Sequence, residues 1–302
     1  MEHGAYHIPV LLHDAIDALR IDPNGVYADV TFGGGGHSAE ILKRLENGKL
    51  FGFDQDPAAK ANIPGDEQFT FVAQNFRHLK NALLLYRVKK LDGILADLGV
   101  SSRQFDDASR GFSIRSDAAL DMRMNPLIGT SAAQILNNWE ESDISAILRE
   151  FGEVERARIV AKRICEAREI EPIKTTGELS DLIRSLAPRG KEHKFLAQVF
   201  QALRIQVNDE LEALSDLLHQ CAEVLKPGGR LVVISYHSLE DRMVKNFMRS
   251  GTFGVEVQRD FFGNAQRPFK PLSSKAIVPT EEEIATNPRS RSAKMRIAER
   301  LP

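Results

Sequence analysis

The chain has 302 residues, of which 42% are hydrophobic and 27% charged, and its formal net charge at pH 7 is −2. This composition is ordinary for a folded globular protein with one large or two medium domains. The small net charge excludes a global attraction to nucleic acid, so an RNA-binding surface would have to be a local patch.

No apolar run is long enough to cross a membrane, and the first residues lack the basic and apolar regions of a signal peptide. We therefore expect a cytoplasmic protein. The two cysteines, Cys165 and Cys221, lie in helical apolar patterns without metal-ligand spacing, so we assign neither a disulfide framework nor a metal site to this chain.

The first predicted elements are a strand over Val26–Val30, a loop with four consecutive glycines at Gly33–Gly36, and a helix. This order is that of the nucleotide-binding βα turn, because glycines permit a tight turn and a helix N-terminus offers free N–H groups. The second strand, Lys49–Asp54, ends in a carboxylate about 20 residues beyond the glycines, where such folds hold ribose hydroxyls.

S-adenosylmethionine (SAM) and a nicotinamide dinucleotide compete as ligands of this turn. Gly33 and Gly35 fit the dinucleotide fingerprint, but Ser38 stands where its third glycine belongs. Asp29, at the end of the first strand, would repel an anionic pyrophosphate and attract the cationic amino acid part of SAM. The pattern favours SAM over a dinucleotide, and the remaining alternative is a glycine-rich loop that binds no ligand.

The third and fourth strands are predicted over Phe69–Val72 and Asp92–Asp97. In open α/β sheets, ligands react at the carboxyl edge, where Asp97 would lie. A carboxylate there can accept a hydrogen bond from an exocyclic amine and orient the nitrogen for in-line attack on a methyl sulfonium. Asp97 is therefore the candidate catalytic residue, with a helix N-cap as the alternative role.

More than a hundred residues separate the fourth strand from the fifth, Arg230–Ser235, which is far beyond an ordinary crossover. We predict an inserted helical substrate domain over residues 106–206, between core segments 1–105 and 207–302. A helix over Asn208–Leu225, stopped by Pro227–Gly229, would lead into the fifth strand. The predicted helices of the insertion are Ser131–Asn138, Asp143–Phe151, Glu153–Arg168, Thr176–Leu186 and Lys194–Ile205.

Basic residues crowd this insertion, and one predicted helix carries Arg156, Arg158, Lys162, Arg163 and Arg168. Contact with phosphates and a solvated helix face are equal alternatives for them. Arg110–Ser113 and Leu120–Met124 are rich in Arg, aromatic and Met residues, and they could form a rim that stacks a base and holds a phosphate.

The segment Ser235–Arg242 leaves the fifth strand and starts a helix, with Ser238 and Asp241 resembling an N-cap and its N3 acid. His237 would either carry a proton or orient a neighbour. After Gly251 the pattern loosens until Ala293–Glu299, which alternates like a final strand.

Together these motifs closely resemble the bacterial ribosomal RNA small subunit methyltransferase H family, formerly called MraW, almost from end to end. The matching segments are His7–Leu12, Thr31–Ser38, Asp97–Ser102, Arg110–Ser113, Leu120–Met124, Ser235–Arg242 and Asn287–Ser292. The resemblance implies a class I SAM-dependent methyltransferase core, Rossmann-like, with an inserted all-helical substrate-recognition domain. It also implies methylation of the N4 amine of a decoding-centre cytosine in 16S rRNA, in the setting of the small ribosomal subunit. A homodimer is left open.

Carried over by position, the resemblance assigns the cofactor contacts to Gly35, Gly36, His37, Asp54, Phe76, Asp97 and Gln104. Asp54 would hold the ribose and Phe76 the adenine region. Asp97 is followed by Leu-Gly-Val instead of the Pro-Pro-aromatic run of many amino-methyltransferases. The aromatic platform for the base must therefore come from Phe112, Tyr236 or another residue. Tyr236 also replaces the phenylalanine that is usual in the family, a change that keeps the ring.

Two rival functions remain from the residues alone. An NAD-dependent oxidoreductase is disfavoured by Asp29, by Ser38 and by the lack of a second mononucleotide half. A non-enzymatic RNA-binding or assembly factor would leave the glycine loop and Asp54 without a purpose.

Overall fold

A computed structural model of the chain describes residues 9–253 and 267–302. These residues form two compact units, one reaching from the first described residue to Gly99 and resuming at Leu211, the other being Val100–Glu210. His7 and Ile8, which begin one of the family motifs, lie outside the described residues. Among the helices of the described part, none has the length and apolar character needed to span a membrane.

The first unit is built on a seven-stranded sheet with the strand order β3-β2-β1-β4-β5-β7-β6. Its strands are β1 (Val26–Asp29), β2 (Lys49–Phe53), β3 (Phe69–Val72), β4 (Leu91–Asp97), β5 (Leu225–Ser235), β6 (Phe269–Pro271) and β7 (Lys294–Arg300). Strands β1 to β5 pair in parallel, whereas β7 is antiparallel to β5 and β6. The parallel part brings the ends of β1, β2, β4 and β5 to one edge, and the predicted α/β class is confirmed.

Twelve α-helices lie in the described ranges. In chain order they are α1 (Leu12–Leu19), α2 (Gly36–Leu42), α3 (Leu79–Leu85), α4 (Ser102–Asp106), α5 (Ala132–Asn138), α6 (Glu141–Glu150), α7 (Ala157–Arg168), α8 (Thr176–Arg184), α9 (Glu192–Asn208), α10 (Glu210–Val224), α11 (Ser238–Ser250) and α12 (Glu281–Thr286). Short 3-10 helices lie in some of the connections between these helices and strands.

The strands bury side chains on both faces of the sheet, so alternate residues enter two different cores. Ile94 packs with residues of α3, α10 and α11 on one face, whereas the next residue, Leu95, packs with α1 and α2 on the other. Both side chains are fully buried. Burial on both faces explains why the parallel strands read as continuous apolar runs in the sequence.

The second unit is helical and has its own apolar core. Helices α5 to α9 all contribute to it, with Leu136, Leu148, Ile164, Ile183 and Leu203 completely buried. A single isolated bridge between Ala119 and Thr175 accompanies these helices in the described residues. The assignment of this insertion to substrate recognition stays a prediction.

Several element boundaries differ from the sequence-based expectation, among them the start of β5, which lies at Leu225 and not at Arg230. The helix expected over Asn208–Leu225 starts only at Glu210, because Asp209 has a φ of 49° and ends α9. The stretch after Gly251 holds β6 and α12 before the final strand. Both are short elements, of three and six residues, and such lengths give little periodic signal. Part of the same stretch, residues 254–266, lies outside the described ranges.

Candidate active site

The glycine loop follows β1 and leads into α2. Gly33 and Gly35 have φ angles of 49° and 79°, in the left-handed region that favours glycine. A Cβ on Gly36 would lie 2.3 Å from Cγ of Pro9, so the start of α2 approaches the N-terminal segment closely. A Cβ on Gly34 would meet nothing within 4 Å. The loop is therefore packed against the N-terminal segment at Gly36 and open at Gly34.

Asp29 and Ser38 join the two ends of this loop. Ser38 Oγ donates a hydrogen bond to Asp29 Oδ2 at 2.7 Å, and the Thr31 N–H donates to Asp29 Oδ1 at 3.1 Å. Asp29 is only 1% exposed, and this burial raises the pKa of its carboxyl. The serine at the third glycine position thus supports the loop through Asp29, which is an internal part of the loop and not an exposed charge.

Asp54 follows β2 and faces the same loop. Its two carboxylate oxygens accept hydrogen bonds from the N–H groups of Gly33 and Asp56, at 2.8 and 2.7 Å. Burial raises the pKa of Asp54 to about 6. Each oxygen keeps a further lone pair, so a fixed carboxylate remains able to accept hydroxyl donors.

Phe76 lies in the loop after β3, in a 3-10 turn, and its ring packs against the core next to the sheet. The preceding residue, Asn75, donates from Nδ2 to Oε1 of Gln55 at 3.0 Å. Since Gln55 follows Asp54 directly, this bond connects the two segments predicted to hold the ribose and the adenine region.

Asp97 is the last residue of β4, and its side chain remains 22% exposed. Its N–H donates to Thr31 Oγ1 at 2.6 Å, and its Oδ1 accepts a hydrogen bond from the Tyr236 hydroxyl at 2.8 Å. Oδ2 lies 3.9 Å from Nδ1 of His37. Poor hydration raises the pKa of Asp97 to about 6, while His37 and the Tyr236 hydrogen bond act in the opposite direction. The carboxylate is therefore ionised above pH 7.

His37 is the second residue of α2 and is 6% exposed. Its Nε2 lies 3.1 Å from the carbonyl oxygen of Val10. Burial lowers the pKa of the imidazole, which is the largest effect on it, although the Asp97 carboxylate opposes the change. The side chain is thus a neutral imidazole between the N-terminal segment and the end of β4.

The N-terminus of α11 differs from the predicted cap. The N-cap is His237 and its N3 partner is Glu240, one residue before the predicted pair of Ser238 and Asp241. Glu240 Oε2 accepts from the N–H of Tyr236 at 3.0 Å, whereas Asp241 pairs with Arg296 at 2.6 Å. The prediction was wrong because a histidine cap has no strong sequence signal. His237 Nδ1 accepts from the Glu240 N–H, so it orients this turn.

The remaining predicted residues lie in the second unit. Gln104 is 6% exposed and completes a capping box at the start of α4, where its Oε1 accepts from the Ser101 N–H at 2.9 Å. The ring of Phe112 is buried in the helical core, which leaves no face for a substrate base. Arg110 donates to the carbonyl oxygens of Arg123 and Met124, and so the expected rim is an internal support of this unit.

The sequence interpretation missed the polar neighbours of Asp97. Thr31 and Tyr236 both follow strand ends at the same sheet edge, β1 and β5, which is the signal that could have identified them. The hydrogen bonds themselves join residues 66 and 139 positions apart, and no spacing rule reports such contacts.

A doubly wound sheet, a glycine loop after β1, and carboxylates directly after β2 and at the end of β4 define a Rossmann-like enzyme core. The sequence matches the model of the MraW methylase family over residues 4–301. The chain belongs to this family and is a methyltransferase, as the sequence motifs indicated.

Curated relatives match along nearly their full length. "Ribosomal RNA small subunit methyltransferase H" of Parabacteroides distasonis is 53% identical over 300 residues, 99% of this chain and 98% of the relative. The protein of the same name from Bacteroides fragilis is 55% identical, with 99% of both chains covered.

Two solved structures with more distant sequences also match. An rRNA methylase from Streptococcus thermophilus is 12% identical, with a TM-score of 0.45 and 98% of this chain and 99% of that chain covered. A putative methyltransferase from Streptococcus mutans in complex with SAH is also 12% identical, with a TM-score of 0.46, 98% of this chain and 100% of that chain being covered.

Proposed function

We propose that this enzyme transfers a methyl group from SAM to the exocyclic N4 amine of a decoding-centre cytosine in 16S rRNA. The observation that carries the proposal is Asp97, a partly exposed carboxylate at the end of β4 whose orientation is fixed by Tyr236. The printed names of the relatives, which are ribosomal RNA small subunit methyltransferases, support the class of substrate.

The residues after β1 and β2 fit SAM. The loop is open at Gly34, and Asp54 is a fixed acceptor beside it, suited to the hydroxyls of a ribose. Ionised Asp54 and Asp97 make this edge electronegative, which suits a cationic ligand. We assign the cofactor to Gly35, Gly36, His37, Asp54, Phe76, Asp97 and Gln104. SAM would supply an electrophilic methyl group on a sulfonium sulfur.

Asp97 would act on the nucleophile. The lone pair of a cytosine amine is delocalised into the ring, which makes the nitrogen a poor nucleophile. A carboxylate that accepts one amine N–H favours the pyramidal nitrogen of the transition state. Oδ1 already accepts from the Tyr236 hydroxyl, so we assign this N–H to Oδ2, the oxygen that Tyr236 leaves open. Direct displacement needs no covalent enzyme intermediate, and Cys221, whose pKa burial raises, is unsuited as a nucleophile.

The helical insertion would position the RNA. Exposed arginines on α7, among them Arg158 and Arg163, are suited to phosphate contacts. Arg168 is not, since its Nη1 donates to the carbonyl oxygens of Leu136 and Trp139 and holds the end of α5.

We further propose a cytoplasmic enzyme that acts on RNA of the small ribosomal subunit. Its oligomeric state, including a homodimer, can be tested by light scattering.

Mass spectrometry of rRNA nucleosides tests this function. Small-subunit rRNA from cells that lack the gene should lose N4-methylation at one cytosine, and the purified enzyme with SAM should restore it. An enzyme with Asp97→Asn should not restore the modification at the same enzyme concentration. If the modification is unchanged in cells that lack the gene, the proposed substrate is wrong.

A further inference from the structure

The side chain of His37 lies between a carbonyl oxygen and the Asp97 carboxylate, whereas a cofactor contact at the start of α2 would be made by its backbone N–H. Nε2 lies 3.1 Å from the Val10 carbonyl oxygen, and Nδ1 lies 3.9 Å from Asp97 Oδ2. A carbonyl oxygen can only accept, so the hydrogen of the neutral imidazole must be on Nε2. Nδ1 then carries an unshared electron pair, and this pair is on the nitrogen nearer to the carboxylate.

In this state Nδ1 and Oδ2 are both acceptors, which agrees with a separation too long for a hydrogen bond. The other carboxylate oxygen already accepts from the Tyr236 hydroxyl. If Oδ2 takes up a proton, it becomes a hydrogen-bond donor, and the unprotonated Nδ1 beside it is the acceptor.

The proposed reaction delivers such a proton. The amine nitrogen forms a bond to the methyl carbon, and the electron pair of the broken carbon–sulfur bond goes to sulfur. The methylated nitrogen is then positively charged and must lose one of its two protons to become the neutral product amine. Asp97 accepts the N–H during attack, so Oδ2 is the first base that this proton meets.

We propose that Nδ1 of His37 shares the proton that Asp97 Oδ2 takes from the substrate amine, before this proton passes to solvent. The inference rests on the proposed function. His37 acts through Asp97 and is a positioning residue, because its unprotonated Nδ1 can accept a hydrogen bond from the carboxyl once Oδ2 has taken up the proton.

The surrounding charges are compatible with this role. The groups that act on Asp97 are His37, Tyr236, Asp29 and Glu240. Asp29 and Glu240 are carboxyls that disfavour a second negative charge nearby, and this makes proton uptake by Asp97 easier. On His37 the structure shows only the Asp97 carboxyl and the Val10 carbonyl as polar influences among the described residues.

The first test reads the protonation site without any reaction. Long-range proton–nitrogen NMR of the 15N-histidine-labelled protein at pH 7.5, with His37→Gln to assign the resonance, should show His37 with its hydrogen on Nε2. A hydrogen on Nδ1 would overturn the inference, since that nitrogen could then accept no proton from Asp97.

The second test is single-turnover methylation at saturating SAM and RNA. His37→Gln can keep the bond to Val10 through its amide but has no basic nitrogen, and we expect its rate to fall about 10²-fold, as for a lost proton acceptor. His13→Gln, at an exposed position, is the control and should keep the wild-type rate. An unchanged rate in His37→Gln would overturn only this inference. Absence of methylation by the wild-type enzyme would overturn the proposed function as well.

Calorimetry of SAM binding to both variants separates a loop defect from a chemical one. We expect His37→Gln to keep its SAM affinity within about threefold while the rate falls. A variant that loses SAM affinity but has the wild-type rate at saturation would show that His37 supports the loop only, and would refute the proton-sharing role.

Discussion

Asp97 is the residue whose substitution tests the proposed chemistry most directly. In Asp97→Asn the amide oxygen can still accept from the Tyr236 hydroxyl, so the local structure should persist. The negative charge beside the amine is lost, and the rotamer of the amide can present a donor to a donor. We expect the single-turnover rate to fall about 10²–10³-fold, the range for one preorganised electrostatic partner. A near-normal rate at saturating SAM and RNA would identify Asp97 as structural.

Tyr236 should control the acid limb of the pH–rate profile. Its hydroxyl donates to Asp97 Oδ1 and so stabilises the ionised form, which keeps the pKa of Asp97 from rising further above its usual range. Tyr236→Phe removes the bond and leaves the ring. The pKa of Asp97 should then rise by about one unit, so the rate should start to fall at a higher pH.

The measurement for Tyr236→Phe is the single-turnover rate between pH 5.5 and about 9. Near the top of this range both enzymes have an ionised Asp97, so the difference between their rates should be smallest there and should report the loss of orientation alone. A uniform loss of rate at all pH values would show instead that the hydroxyl orients the carboxylate without changing its ionisation.

Among the elements, α7 is the one for which we predict an RNA contact. Replacing Arg158 and Arg163 together with Gln should weaken RNA binding and make the logarithmic salt dependence shallower by about two. SAM affinity should not change. Lys49 and Lys89, exposed lysines of the first unit, provide a charge-matched control pair. Equal salt slopes for the two double variants would mean that the α7 arginines are solvated surface.

The core strands could be predicted because each is an apolar run that is buried on both faces. Val26, Lys49 and Phe69 begin β1, β2 and β3 at the predicted residues. The start of β5 was predicted wrongly, at Arg230 instead of Leu225, because Pro227 and Gly228 lie within the first residues of the strand, where a register shift against β4 occurs. Turn residues in a strand depend on pairing with a neighbour, which a single sequence does not report.

The acids of the candidate site could be predicted from the sequence, whereas their hydrogen-bond partners could not. Asp54 and Asp97 could be found because each ends an apolar strand. Phe112, by contrast, was a candidate platform for the base and is a core residue of the second unit. An aromatic residue beside an arginine has the same sequence pattern in both settings, and only the tertiary packing distinguishes them.

At the scale of the whole molecule, the acids at the sheet edge should lower the stability of the protein at neutral pH. Burial raises the pKa of Asp97 to about 6 from an ordinary value of 3.8. Between these two values the folded state binds more protons than the unfolded state, so this contribution to stability falls as the pH rises through the window and is fully lost above it.

Asp97→Asn removes this penalty. We expect the variant to have a free energy of unfolding about 1–3 kcal/mol higher than the wild type at pH 8, with a smaller difference at pH 4. Denaturant unfolding at both pH values measures this difference in free energy. Comparison with the wild type cancels the contribution of acids whose pKa values are lowered, such as Asp241. A difference that does not depend on pH would contradict the assignment.

The same acids link SAM binding to the release of protons into solution. Near pH 6 a large fraction of Asp54 and Asp97 carries a proton, and a cation that docks beside them favours their ionised forms. SAM binding should therefore release protons into the buffer. The heat of binding at pH 6 should vary with the ionisation enthalpy of the buffer, and this variation should vanish near pH 8. The enzyme would then capture its methyl donor less tightly in an acidified cell, without any regulatory domain.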